Sequence, residues 1–239
     1  MLMPVLCEEL IAVSTGSLVD FAWDEADIQQ YFYFAEDELF DRLANLTINA
    51  NLALMLATTE WVERRLATLA ADRTLHDYLE AGWGALGDWR RTDYFQLIDD
   101  DWRGPLRGPL AVGIGIICDA FFDSDEEPEK VFQANYAINL VRHILPDTAT
   151  FETWLEAAIK RLEASHSFAV EGRPVEDILS PSFAEGRLVP REIFNLQRSY
   201  QPNTGDDLLA EWRARIPPSN PYYSDDIGDD SEDEHDHPH

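Results

Sequence analysis

Residues 48–69 read INANLALMLATTEWVERRLATL, and this stretch decides the fold class. Ile48, Leu52, Met55, Thr59, Val62, Leu66 and Leu69 recur at alternating steps of four and three, which lines them up as one stripe of an α-helix. Leu54 and Leu56 widen the stripe in its first half, so that end is expected to be buried on several sides. Glu60 and Arg64 stand four apart in the order that suits an exposed ion pair.

The pattern continues in both directions. Upstream, Ile28, Tyr31, Phe32, Leu39, Leu43 and Leu46 suit one or two further helices. Downstream, Asp72 is placed to cap a helix through Leu75, Tyr78 and Leu79, which Gly82, Gly84 and Gly87 loosen. Thr92 is placed to cap a short helix over Tyr94, Phe95, Leu97 and Ile98. Gly104-Pro105-Leu106-Arg107-Gly108-Pro109-Leu110 carries GPL twice, a turn or linker signal. The apolar run from Leu110 to Phe122 reads as a closely packed helix through Gly113 and Gly115. Ser124 and Glu127 have capping-box spacing with Pro128 in the first turn, and Pro146 stops the helix that follows near Leu145. A helix from Thr150 buries Phe151, Leu155, Ala158 and Leu162. Short helices follow Pro174, Pro181 and Pro190, and Pro217-Pro218 ends a last helix through Leu208, Leu209, Trp212 and Ile216.

Strand alternation is rare. The expected fold is therefore all-α, a compact domain of eight to ten helices over residues 1–216 followed by a disordered acidic tail over 217–239. Ala50-Asn51-Leu52-Ala53-Leu54-Met55-Leu56 matches Ala134-Asn135-Tyr136-Ala137-Ile138-Asn139-Leu140 at four of seven positions. Two related helical halves meeting near 104–109 would produce such a match, as would helical composition alone.

Charge narrows the function. The 239 residues hold 46 Asp and Glu against 18 Lys and Arg, a formal charge of −28, with 45% hydrophobic and 11% aromatic residues to fill a core. Duplex nucleic acid is excluded as a direct partner, because binding it rests on Lys and Arg displacing counterions. Anionic membrane surfaces are disfavoured for the same reason. The longest apolar stretch, Leu110 to Ile117, falls far below the roughly 20 residues that cross a bilayer. The first 13 residues carry Glu8 and Glu9 and no base, unlike a secretory signal, so a cytoplasmic location is expected. The cysteines, Cys7 and Cys118, lie far apart in apolar runs and read as buried free thiols. Sixteen Arg against Lys130 and Lys160 is a bias of GC-rich bacterial genomes.

The acids are unevenly spread. Residues 1–41 carry ten acids, among them Asp24, Glu25, Asp27, Glu36, Asp37 and Glu38, and no Lys or Arg. Residues 119–129 carry six, including Asp123, Asp125, Glu126 and Glu127. The last 21 residues carry eight, so the body alone stands at −28 + 8 = −20. A negative face of this kind attracts and orients a basic partner, while solubility is the competing account.

Candidate chemistry is sparse. His235, His237 and His239 offer three imidazoles for weak metal binding on a tail without fixed geometry. The acids from Asp119 to Glu129 lack the glycine of an EF-hand loop. His76-Asp77 resembles the HD-type metal phosphohydrolases in two residues, without the earlier histidine of that pattern. Glu60-Trp61-Val62-Glu63 and Asp77-Tyr78-Leu79-Glu80 each set two carboxylates three apart on one helical face, and two such helices side by side can hold magnesium. The arrangement resembles the all-α nucleotide pyrophosphohydrolases, whose helices carry ExxE and then ExxD; here the second pair runs DxxE. That resemblance implies a magnesium-dependent hydrolase using Glu60, Glu63, Asp77 and Glu80. Dinucleotide, P-loop and GxSxG patterns are absent. His143 and a lone ExxH, Glu163 to His166, read as helix-end or core-edge residues. Trp83, Trp89 and Trp102 fall in a Gly- and Arg-containing region of the type that furnishes interface anchors. The leading expectation is a non-enzymatic acidic module without a cofactor that binds a basic protein, such as an inhibitor or immunity protein masking a cationic toxin or nuclease. The alternative is the magnesium-dependent enzyme.

Overall fold

The structure, a computed structural model, describes residues 19–34, 36–97, 102–122, 127–171 and 185–225. Eight α-helices hold most of them: α1 (Asp37–Ala44), α2 (Ile48–Ala70), α3 (Thr74–Ala85), α4 (Gly104–Phe122), α5 (Glu127–Ile144), α6 (Ala149–His166), α7 (Phe168–Glu171) and α8 (Gly205–Arg213). Single 3-10 turns at Ile28–Tyr31, Trp89–Arg91, Arg191–Phe194 and Pro202–Thr204 join them. Among the described residues β-structure is limited to two isolated bridges, Leu46 with Ser167 and Thr92 with Tyr223. The class is all-α, as the periodicity predicts.

Helix α2 is the axis of the core. Leu54, Met55, Leu56, Val62 and Leu66 are fully buried, and α3, α4, α5 and α6 pack around them. Its Trp61 meets Trp154 of α6 with ring centroids 5.5 Å apart, so the tryptophans that follow the two matched segments touch. The matched asparagines do similar work. Asn51 donates from Nδ2 to the Leu43 carbonyl at 3.0 Å, beyond which α1 ends, and Asn135 donates to the Phe34 carbonyl just before α1 begins. Asn139 adds bonds to Phe34 at 2.7 Å and Phe32 at 3.1 Å. Three amides from the core thus hold α1 at both ends.

Helix α4 is longer than its apolar run. Gly104, at φ +79, supplies the sharp entry, and Pro105 sits in the first turn, where a missing N–H costs nothing. The Gly-Pro signal read as a linker is therefore a helix start. By length and hydropathy α4 alone among the described helices is able to cross a bilayer, with mean hydropathy 1.4, but most of it is buried against α2, α3 and α5, as in a core helix.

Two boundaries differ from expectation. No helix follows Thr92; residues 93–97 run without helical structure, and Thr92 bridges to Tyr223 instead. Asp72 does cap α3, accepting from the Thr74 N–H at 2.8 Å, and Asp147 caps α6 in the same way at Ala149, 2.9 Å. The chain also stays on the body past Pro217. Asn220 is buried and donates to the Asp77 carbonyl at 2.8 Å, and Tyr222 packs on Tyr78 at 5.4 Å. These aromatic contacts anchor residues 217–225, which the sequence reading gave to the tail. Residues 226–239 and Cys7 lie outside the described residues, whereas Cys118 is buried with its Sγ 3.0 Å from the Tyr78 hydroxyl.

Candidate functional site

The segment before α1 turns Trp23 and Tyr31 to the body and leaves Tyr33 and Phe34 exposed beside its acids. Trp23 stacks on Tyr31 with centroids 5.4 Å apart, and Tyr31 on His143 of α5 at 4.2 Å. With these rings turned to the body, Asp24, Glu25, Asp27, Glu36, Asp37 and Glu38 all face solvent. Asp24 fastens a local turn through the Ala26 N–H at 3.0 Å, and Glu36 reaches Arg142 at 3.0 Å. Of the second predicted patch, Asp123, Asp125 and Glu126 lie outside the described residues, and Glu127 is described only as the first residue of α5. His235, His237 and His239 also lie outside them.

Many of the basic side chains pair with carboxylates or carbonyls of the protein itself, while Arg73, Lys160 and Arg215 do so from exposed positions. Arg42 bonds Glu156 at 2.7 Å and Glu163 at 2.8 Å, and the Glu163 bond holds its guanidinium pKa above the ordinary value. Arg142 bonds Glu152 at 2.7 Å, Arg107 bonds Asp72 at 2.6 Å, and the buried Arg65 approaches Asp20 at 3.6 Å. Arg161 and Arg213 turn to backbone carbonyls, at Ile193 and Gly84 among others, and Lys130 donates to the Ala120 carbonyl. Much of the positive charge is thus matched by the protein's own carboxylates and carbonyls, at the surface as well as inside, and the surplus charge is acidic.

The four carboxylates of the hydrolase reading separate into two groups. Glu60 is buried: it accepts from Trp83 Nε1 at 2.8 Å and from Arg191 Nη2 at 2.8 Å, with Arg64 at 3.8 Å. Glu63 and Glu80 instead flank His76, one facing Nδ1 at 3.4 Å and the other Nε2 at 3.5 Å. The hydrogen bond to Glu63, helped by the charge of Glu80, raises the His76 pKa against the effect of burial. Asp77 lies beside Glu80 but pairs with Arg73 at 3.2 Å. One ligand atom each from His76, Asp77 and Glu80 falls within 4.8 Å of the others, the grouping best able to hold a cation among the described residues.

A second polar cluster escaped the sequence reading. His166 is fully buried, with Nε2 2.9 Å from the Tyr200 hydroxyl and Nδ1 3.4 Å from the equally buried Glu171. Desolvation lowers its pKa despite Glu171, and burial pushes the Tyr200 phenol up to about 12. The ExxH spacing did not find this contact, since Glu163 goes to Arg42 and the true neighbours come from residues 171 and 200.

A cleft of about 290 Å³ lies between the acidic segment, α4 and α5. Trp23, Phe32, Tyr33, Trp102 and Tyr136 wall it, and Glu25 and Asp119 contribute carboxylates. Trp23 lies so close on α4 that a Cβ at Gly108 would collide with its ring, and its Nε1 donates to Glu25 at 2.9 Å. At Gly115, by contrast, nothing stands within 4 Å of where a Cβ would be. Of the two glycines of α4 that the sequence assigns to close packing, Gly113 does lie against Thr59 and Leu75, whereas Gly115 leaves this hollow.

No protein-family model matches the chain, and no curated protein or solved structure matches it at a significant level. Function is therefore argued from the side chains themselves.

Proposed function

We propose that the protein is a non-enzymatic acidic binding module whose negative face engages a basic protein, in the manner of an inhibitor or immunity protein that masks a cationic toxin or nuclease. One observation carries this reading: Asp27, Asp37, Glu38 and Asp41 stand exposed on one short segment with no side-chain contact among the described residues, whereas exposed bases such as Arg73, Lys160 and Arg215 each pair with a nearby carboxylate. Unneutralised carboxylates on a formed scaffold steer a cationic partner and fix its orientation. No cofactor enters this function.

The test uses a fourfold variant, Asp27→Asn, Asp37→Asn, Glu38→Gln and Asp41→Asn, which removes charge without touching a described side-chain contact. A basic protein captured on the native chain is purified and its Kd measured against both forms. Loss of affinity by tenfold or more in the variant supports the reading, and equal affinity overturns it.

A second reading has one observation in its favour. The His76, Asp77 and Glu80 grouping would serve a magnesium-dependent nucleotide hydrolase, with Glu63 alongside. Against it, Glu60 is held by Arg191 and the Arg73 guanidinium stands beside Asp77, where it would repel a cation.

A further inference from the structure

The cleft between the acidic segment, α4 and α5 has three properties that together select its occupant. Its walls are aromatic, and rings of this kind attract a cation placed over their faces; Trp102 already holds the chain's own Arg107 in this way, 5.3 Å from its ring centroid, while the other rings line the hollow. Among the described residues its charged lining is acidic: Glu25 and Asp119 line it, and no Lys, Arg or His does. Its third property is an acceptor without a donor. Gln133 Oε1 is buried in the lining and has no hydrogen-bond partner among the described residues, a state that native proteins rarely leave uncompensated.

At about 290 Å³ the cleft falls at the lower edge of the roughly 300–1,000 Å³ that small-ligand pockets span, room for one side chain rather than a helix. Both arginine and lysine carry the required charge. Arginine fits better, because its planar guanidinium stacks on aromatic faces and directs several N–H groups in a plane toward carboxylate and amide oxygens. Arginine is also prominent among the residues that dominate binding energy at interfaces.

We propose that this cleft receives a single arginine side chain of the basic partner, stacked among the aromatic walls and donating to Glu25, Asp119 and Gln133. The proposal rests on the acidic-module reading and names the place where that partner is anchored. The exposed acids of the neighbouring segment steer the approach, and the cleft fixes the register.

Gly115 supplies the test. A leucine there projects into open space and improves the helix, so Gly115→Leu fills the cleft without disturbing the core. A blocked peptide carrying two arginines among glycines and serines is titrated into the labelled protein while the indole N–H resonances of Trp23 and Trp102 are followed by NMR. Matched peptides carry citrulline, which keeps the shape and loses the charge, or lysine. The expected result is a saturable shift of both indoles with arginine, at least tenfold weaker with citrulline and severalfold weaker with lysine. Gly115→Leu abolishes it, and Gln133→Met, which removes the acceptor at similar volume, weakens it severalfold. Unchanged arginine affinity in Gly115→Leu, or equal binding of arginine and citrulline, overturns the cleft proposal even if the fourfold acidic variant still loses the partner. If that variant keeps the partner while Gly115→Leu loses it, the surface-charge reading fails and the cleft proposal stands.

Discussion

The Arg191 guanidinium sits on the Glu60 carboxylate, Nη2 2.8 Å from Oε2, with side chains only 13% and 5% exposed. The pair ties the turn after Pro190 to the middle of α2. Trp83 Nε1 holds the same carboxylate at 2.8 Å, and the Trp212 ring lies under the guanidinium at 4.8 Å. Burial opposes the charge on Arg191, but Glu60 outweighs it and the guanidinium pKa is raised. Removing Arg191 leaves the buried Glu60 with only Arg64, at 3.8 Å, to offset its charge. Arg191→Ala should cost about 3–5 kcal/mol in denaturant unfolding. Glu60→Gln keeps the Trp83 acceptor and should cost less. A loss below about 1 kcal/mol for Arg191→Ala would contradict this account of the pair.

The same pair bears on metal binding. With Glu60 engaged and Arg73 beside Asp77, millimolar magnesium should shift the melting temperature no more than an equal ionic strength of sodium chloride. A magnesium-specific rise that Glu63→Gln abolishes would favour the hydrolase reading.

The two histidines contribute to stability in opposite pH windows. His76 has a raised pKa through Glu63, so its contribution is complete below the ordinary value near 6.5 and fades as pH climbs through the folded value. His166 has a lowered pKa through desolvation, so its contribution is present above about 6.5 and is lost as pH falls. Unfolding free energies measured from pH 5 to 8 should therefore change slope in opposite senses in His76→Gln and His166→Gln. Parallel profiles for the two variants would contradict both assignments.

Helix α2 ends on Ala71 in the left-handed conformation, φ 52 and ψ 38. Glycine is the residue that this C-terminal position favours, because a Cβ there meets the following carbonyl. Ala71→Gly should stabilise the protein by about 1 kcal/mol, which for a chain of this size corresponds to roughly 2–4 °C in Tm. A decrease in Tm would contradict it.

Local periodicity made most of the helices readable. The stripe over 48–69 predicts α2 to within a residue, and Asp72 and Pro146 mark the neighbouring ends. What failed was non-local. Glu60 reads as half of an exposed pair with Arg64, yet it is buried because Arg191, 131 positions away, neutralises it. His166 reads rightly as a helix-end residue, the last of α6, but its neighbours Glu171 and Tyr200 lie beyond the ExxH spacing. The tail boundary was misplaced because Pro217-Pro218 ends a helix without ending the packing, which Asn220 and Tyr222 continue. For the candidate site, the exposed acids were visible as a charge run, but the cleft beside them was not. Its walls come from residues 23 to 136, and Gly115 is open only because of what α5 and the acidic segment leave unfilled.

The central claim is that a basic partner is held through the acidic face. The most direct measurement is the Kd of the purified partner complex from 50 to 500 mM sodium chloride, for the native chain and the fourfold acidic variant. Exposed charges lose their attraction as the Debye length shrinks from roughly 14 Å to about 4 Å over that range. The account predicts an affinity that falls by at least tenfold for the native chain and a much flatter dependence for the variant. Affinity that stays constant with salt, or that falls equally in both forms, would contradict it.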